Sequence, residues 1–387
     1  VTERARYFVR MRDLARQVSA LYVKQREELG YPFKGKFALP APDLGPLPAP
    51  AQPQGPGPFD FTLEIGCEEL PVGDLDAALG QLKDKLTTAL AGARLGYHAL
   101  DIYGTPRRLA AIVKGLQARQ ADQERVVRGP AARAAFEEAG NPTKAAQGFA
   151  RAQGVEVGAL QKRAIEGKEY VVAVVVEAGR EAAAVLAELL PGLVGTISFD
   201  KSMRWNGSGV SFSRPLRWYV ALLGDQIIPF EYAGVRSGRA SRGIRPANSP
   251  EVVIASAAAY VQAMGDAGIM LDVAARQAAI HEQAVALAAE VGGVVPDDAD
   301  LLREVANLVE YPLAIRGAFD PTYLRLPDEV LLAVMRKHQR YLPVMKEGKL
   351  LPYFIAIANG KDLNVATVRY GNEEVLRARY SDATFFY

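Results

Sequence analysis

The stretch from Pro40 to Pro58 constrains this chain more than any other. Pro40-Ala41-Pro42-Asp43-Leu44-Gly45-Pro46-Leu47-Pro48-Ala49-Pro50 alternates proline with small residues, carries one charge and has no periodic apolar face. Proline fixes φ and removes a backbone donor, so this segment is expected to be an extended, semi-rigid spacer. One short helical unit precedes it, and the bulk of the chain lies beyond it. A joint between such unlike pieces suggests two proteins spliced into one.

At 387 residues the chain holds two to three domains' worth of polypeptide, most of it C-terminal to the joint. Lys and Arg number 46 against 44 Asp and Glu, so a nucleic-acid signal must be local rather than global. Cys67 is the lone cysteine, which excludes an internal disulfide and fits a reducing cytoplasm. His98, His281 and His338 stand far apart without metal-ligand spacing, so no protein zinc site is expected. No apolar run is long enough for a membrane span. The chain closes on Thr384-Phe385-Phe386-Tyr387, an aromatic end that reads as a cut through a longer protein.

Residues 2 to 29 read as one amphipathic helix. Tyr7, Met11, Leu14, Val18 and Leu21 or Tyr22 recur at three- and four-residue steps, Thr2 is placed to cap the start, and Gly30-Tyr31-Pro32 to stop it. Residues 1 to 39 carry nine Lys/Arg against four Asp/Glu. One helix cannot bury its own stripe, so it should dock on the body or on a partner.

After the joint, strands and helices are mixed without regular βαβ alternation, which predicts an α+β fold. Strands are expected at 59–66, 99–103, 107–113, 170–176, 218–223, 313–316 and 353–358. Helices are expected at 74–92, 181–190 (stopped by Pro191-Gly192), 252–290, 300–309 and 328–336. Residues 128 to 165 read as a small helical insert, with Asn141-Pro142-Thr143 opening a helix that ends at Gly154. Glu64, Glu68 and Glu69 sit where a strand turns, and are expected to cap helices or pair with arginines rather than act as an acid–base pair.

The most basic segment runs from Lys201 to Arg245, with eight Lys/Arg against Asp225 and Glu231, and with Trp205 and Trp218 interleaved. Arginine offers forked donors to phosphate and aromatic faces offer stacking to unpaired bases. Trp218 also suits a buried strand. Arg336-Lys337-His338-Gln339-Arg340-Tyr341 is the densest polar cluster. His338 has no identifiable nucleophile or metal beside it, so a phosphate-facing patch or a salt-bridged helix end is the better reading. No GxxxxGK[ST] loop, strand-linked GxGxxG or GxSxG elbow is present. Residues alone therefore give an α+β chain with basic, aromatic-bearing patches and no visible catalytic site.

Seven strings, in order, resemble the β subunit of the bacterial heterotetrameric glycyl-tRNA synthetase. They begin with Leu63-Glu64-Ile65-Gly66-Cys67-Glu68-Glu69-Leu70-Pro71, Gly104-Thr105-Pro106-Arg107-Arg108-Leu109 and Asn141-Pro142-Thr143-Lys144-Ala145-Ala146. Lys201-Ser202-Met203-Arg204-Trp205 and Arg214-Pro215 with Trp218 come next. Met335-Arg336-Lys337-His338-Gln339-Arg340-Tyr341 and Gly371-Asn372-Glu373 with Val375-Leu376-Arg377-Ala378-Arg379 complete the set. Residues 2 to 33 look like the C-terminal helix of that enzyme's α subunit, through Gln25-Arg26-Glu27 and Gly30-Tyr31-Pro32.

The resemblance implies a fused α–β chain: the end of α at 1–39, the joint at 40–58, the N-terminal region of β at 59–365, and the start of a helical HD-like domain at 366–387. The β region is expected to have an editing-domain-like fold with a possible subdomain boundary near 246. It also implies glycine–tRNA ligase activity, with ATP and magnesium used by a catalytic core outside these residues and no cofactor held within them. This portion is then a non-catalytic tRNA-binding and subunit-docking region, with tRNA-Gly and the fused α core as partners. A homodimer of the full chain, a cytoplasmic location and no membrane contact complete the expectation. Candidate tRNA contacts are Arg107, Arg108, Lys201, Arg204, Trp205, Arg214, Arg217, Arg336, Lys337, His338, Arg340 and Tyr341. The alternatives are an editing-type hydrolase of mischarged tRNA, which a smallest amino acid makes less needed, and a structural scaffold for the α core. One departure stands out. The family tends to have Gly-His-Arg-Phe where this chain has Gly243-Ile244-Arg245-Pro246, so a role for that histidine is lost here. Tyr341-Leu342 also replaces a usual aromatic pair.

Overall fold

The first helix, α1, runs from Glu3 to Glu28 and closes on a left-handed Gly30, whose N–H donates to the Glu27 carbonyl at 2.9 Å. In the computed structural model, residues 3–31, 44–137, 140–165 and 167–387 are described. Thr2, Pro32 and residues 40–43 of the joint lie outside them. No residue of α1 is buried. Its expected apolar stripe, Tyr7, Met11, Leu14, Val18 and Leu21, stands more than half exposed throughout.

The rest of the spacer is less free than its composition predicts. Gln52 donates through Nε2 to the Ala118 carbonyl at 2.8 Å and accepts from the Ala183 N–H at 3.1 Å, and Pro53 is buried. One side chain with both a donor and an acceptor thus ties the spacer's second half to the body.

The body begins with β1 (Phe59–Cys67), α2 (Val72–Gly92), β2 (Ala99–Thr105) and β3 (Arg108–Leu116). Next come β4 (Gln123–Ala131), α3 (Ala132–Ala135), α4 (Lys144–Gln153), β5 (Gln161–Ile165), β6 (Lys168–Glu177) and α5 (Ala182–Thr196). The middle holds β7 (Leu216–Leu223), β8 (Gln226–Ile227), β9 (Glu231–Tyr232), β10 (Val235–Gly238), β11 (Ala240–Arg242) and β12 (Glu251–Val253). The remainder is α6 (Tyr260–Asp266), α7 (Val273–Ala289), α8 (Ala299–Ala306), β13 (Pro312–Ala318), α9 (Asp328–Ala333), β14 (Leu342–Lys346), β15 (Lys349–Asn359) and α10 (Val365–Phe386). The α+β expectation holds.

The largest sheet has the order β2-β3-β1-β7-β10-β9, with β8 on β7. Strand β1 lies between β3 and β7, and from Phe61 to Cys67 every residue is buried on both faces. Gly66 is required there because a Cβ would lie 2.0 Å from the Trp218 indole. One face is covered by Tyr260, Met264, Ile269 and Leu271, which lie C-terminal to β12. A second core joins α7 and α8 to the sheet β13-β15-β14. A third packs Phe319, Leu331, Met335 and Phe354 around Leu376 and Tyr380 of α10.

Three expectations are corrected. Residues 128–165 belong not to a helical insert but to a module with the three-stranded sheet β4-β6-β5, carrying α3 and α4. Helix α5 does not stop at Pro191 but continues to Thr196, because Leu193 and Val194 extend the buried stripe of Leu186 and Leu190. The alanine-rich stretch 252–290 is a strand and two helices, broken at Gly268 with φ +74°.

Candidate nucleic-acid interface

Two adjacent arginines, Arg107 and Arg108, enter at the tight turn between β2 and β3. Strand alternation aims Arg108 inward, where it is wholly buried. Its Nη1 donates to Glu64 Oε1 at 3.1 Å and to Ser241 Oγ at 3.1 Å, and its Nη2 donates to Glu310 Oε1 at 3.0 Å and to the Arg242 carbonyl at 2.8 Å. Glu64 Oε1 also accepts from the Trp218 indole N–H at 3.0 Å and from Ser241 Oγ at 2.8 Å. Thr105 Oγ1 donates to Glu310 Oε1 at 2.7 Å. This single side chain links β1, β3, β11 and the residue two before β13.

Burial alone would lower the Arg108 pKa, but Glu310 and Glu64 outweigh it and hold the guanidinium charged. Burial raises the Glu64 carboxyl above the ordinary range, opposed mainly by Arg108. Arg107 is lowered by burial and donates to Ser249 Oγ at 3.0 Å and to the Gly243 carbonyl at 3.3 Å. Behind them, Arg276 of α7 is lowered by burial to about 10 and donates to the carbonyls of Ala306, Met270 and Leu271. Burial also pushes the Cys67 thiol up, which leaves it inert as a nucleophile.

Near this interior, carboxylates pair as expected. Glu68 binds Arg217 at 3.1 Å and also Arg245, while Glu69 binds Arg245 at 3.2 Å. Trp218 is core, as its strand position suggested.

The turn at 204–211 carries Arg204, whose Nε donates to the Gly209 carbonyl at 3.0 Å. Trp205 is half-buried. In the body, Lys201 is exposed and Arg214 is half-buried, donating to the Ser213 carbonyl. The C-terminal cluster begins in a π-helical turn, Val334–Gln339, ended by a left-handed Arg340 with φ +55°. Arg336 pairs with Asp298, and Arg340 with Glu304 at 2.9 Å. Tyr341 is buried, stacked on Phe354 with centroids 4.6 Å apart, and its hydroxyl donates to Asn372 Oδ1 at 2.6 Å. The groove beside Arg336 and Lys337, about 510 Å³, is also lined by Asp298, Asp300, Glu304 and Glu329. Acids outnumber bases there, so this helix end is mixed rather than basic.

Of the twelve candidates, Trp205 is half-buried and the other eleven divide by burial and pairing. Arg107, Arg108 and Tyr341 are interior and offer nothing to a ligand at the surface. Arg217, Arg336 and Arg340 are exposed but engaged with carboxylates. Among the described residues, Lys201, Arg204, Arg214, Lys337 and His338 have no carboxylate within ion-pair distance. Glu310, Ser241 and Thr105 were not legible as partners, since no local pattern marks them.

The sequence model of the family described as "Glycyl-tRNA synthetase beta subunit" matches residues 61–387. The chain belongs to that family. "Glycine--tRNA ligase, chloroplastic/mitochondrial 2" of Arabidopsis thaliana is 46% identical over 391 aligned residues, which cover 100% of this chain and 36% of the relative. The "Glycine--tRNA ligase beta subunit" of Desulfitobacterium hafniense (strain DSM 10664 / DCB-2) is 46% identical over 329 residues, 85% of this chain and 48% of the relative. That of Clostridioides difficile (strain 630) is 40% identical over 324 residues, 84% and 47%. The chain spans half or less of the length of these relatives. Among the described residues no helix is long and apolar enough to cross a membrane.

Proposed function

We propose that this chain is the tRNA-binding and subunit-docking part of a glycine–tRNA ligase, and that it does not itself carry the aminoacylation chemistry. The observation that carries the reading is that Lys201 and Arg204 are each exposed with no carboxylate within ion-pair distance, in a chain of the glycyl-tRNA synthetase β-subunit family. Charge without a carboxylate partner is what a phosphate backbone can neutralise. Residues 1–39 act in this reading as the end of a fused α portion. In support, the family match begins at residue 61, whereas the Arabidopsis relative aligns along the whole chain. The tether raises the effective concentration of one part near the other. Residues 59–365 act as an editing-domain-like body, and α10 opens a helical HD-like domain. Tyr7, Met11 and Leu14 of α1 supply an apolar face for subunit docking, and the full chain acts as a homodimer in the cytoplasm.

ATP and magnesium belong elsewhere in the full enzyme. Among the described residues no group of three or more His, Cys, Asp or Glu is arranged to hold a metal ion, and no phosphate loop is present.

Charge reversal tests the reading. Lys201→Glu with Arg204→Glu is expected to weaken binding of glycine tRNA about tenfold or more at low salt. Arg340→Glu, whose cation is already held by Glu304, is expected to lose less. Equal affinity for all variants in a fluorescence-anisotropy titration would remove these residues from the tRNA contact.

A further inference from the structure

The module that replaces the expected helical insert has two unlike faces. Strand periodicity and register divide its side chains cleanly. One face carries Val171, which packs with Ala132, Ala135 and Ala146 beneath α3 and α4, with Phe136, Phe149 and Leu160 around them. Gly129 allows that packing, since a Cβ there would lie 2.5 Å from the Phe149 ring.

The other face carries no helix of the module. Arg128 pairs in register with Val172, Val172 with Gln161, and Arg163 with Tyr170, so these side chains share it. Val126 and Val176 on the same face are 45% and 58% exposed, and only Val172, between Arg128 and Gln161, is buried. The Arg128 guanidinium lies over the Tyr170 ring, 4.9 Å from its centroid. Arg163 and Lys168 stand exposed beside it. Among the described residues, no carboxylate lies within ion-pair distance of Arg128, Arg163 or Lys168, whereas Arg125 on the helix-bearing face is held by Glu177 at 3.3 Å.

We propose that this open face of β4-β6-β5 binds a single-stranded RNA segment, with Tyr170 and Arg128 as the stacking platform and Arg163 and Lys168 on the phosphates. Three cations against Glu124 on this face give the charge complementarity. A guanidinium already stacked on an aromatic ring presents a flat cationic surface to a further ring, which an unpaired base supplies and a paired one does not. Exposed valines flanking the platform add apolar contact to ribose and base edges. The inference rests on the tRNA-binding reading for the choice of RNA, but it names a surface that reading did not use.

The test measures binding of a short fluorescein-labelled single-stranded RNA, and of the same RNA annealed to its complement, to the full chain. The wild type is expected to favour the single strand. Tyr170→Ala is expected to lose about tenfold or more in affinity, with Tyr170→Phe close to wild type. Arg128→Glu with Arg163→Glu is expected to abolish measurable binding, and Arg125→Ala on the opposite face to change nothing. Thermal melting of each variant separates a lost surface from a lost fold. No binding by the wild type at low salt, equal affinity for the duplex, or indifference to Tyr170→Ala and to the double reversal would each overturn the proposal, the last being the result expected if a protein covers this face. Indifferent sheet variants alongside intact tRNA binding would break this inference alone. Single-strand binding without binding of intact glycine tRNA would break the broader reading instead.

Discussion

The large sheet around β1 and the small sheet around β6 both place an arginine beside an aromatic ring, with opposite outcomes. Arg108 is sealed inside with Glu64 and Glu310 on its guanidinium and Trp218 5.7 Å away, whereas Arg128 lies on an open face with Tyr170 as its neighbour. The difference lies in what covers the sheet. β1 is flanked by strands and covered on both faces, so a charge there requires countercharges in place of water. The β4-β6-β5 sheet carries its helices on one face only, so the exposed Arg128 of β4 keeps its solvation and remains available to a partner. Arginine content alone does not separate the two; the carboxylates that the fold brings to each guanidinium do.

Removing the two arginines should separate the sheets most sharply. Arg108→Met leaves Glu64 and Glu310 buried without their counterion, and is expected to destabilise the chain by about 3–5 kcal/mol in urea unfolding. Arg128→Met, at an exposed site, is expected to stay within about 0.5 kcal/mol of wild type. Equal losses would contradict the contrast between the sheets.

A smaller effect concerns pH. The folded-state pKa of Glu64 is raised, so the native state binds a proton more tightly than the unfolded chain does. Its contribution to stability is therefore greatest below the ordinary carboxylate range and falls as pH rises through the raised value. The penalty of Glu64→Gln, measured as a stability difference at several pH values, should shrink as pH rises across that window. A growing penalty would mean that Arg108 outweighs burial at this carboxylate.

Much of this architecture was legible because local pattern and tertiary role agree. The three- and four-residue steps from Tyr7 to Leu21 correspond to α1, and the alternation from Phe59 to Gly66 to β1. Pro191 misled because a buried stripe on both sides of it carries α5 through a residue that ordinarily ends a helix. The module at 123–177 misled because its short helices carry clearer signals, Asn141-Pro142-Thr143 and Gly154, than its strands do. For the candidate interface, sequence identified cationic strings but not their neighbours. Arg107-Arg108 and Lys201 to Arg204 look alike in one dimension, and only the fold brings Glu310 from some two hundred positions away onto one of them. Long-range ion pairing leaves no local trace.

The proposed tRNA contact rests on exposed cations that lack carboxylate partners. Affinity of the intact chain for glycine tRNA across a salt series tests it most directly. Log affinity is expected to fall steeply with log salt, by roughly one unit of slope per phosphate neutralised, and Lys201→Glu with Arg204→Glu is expected to flatten the slope. No binding at low salt, or binding whose slope these substitutions leave unchanged, would contradict it.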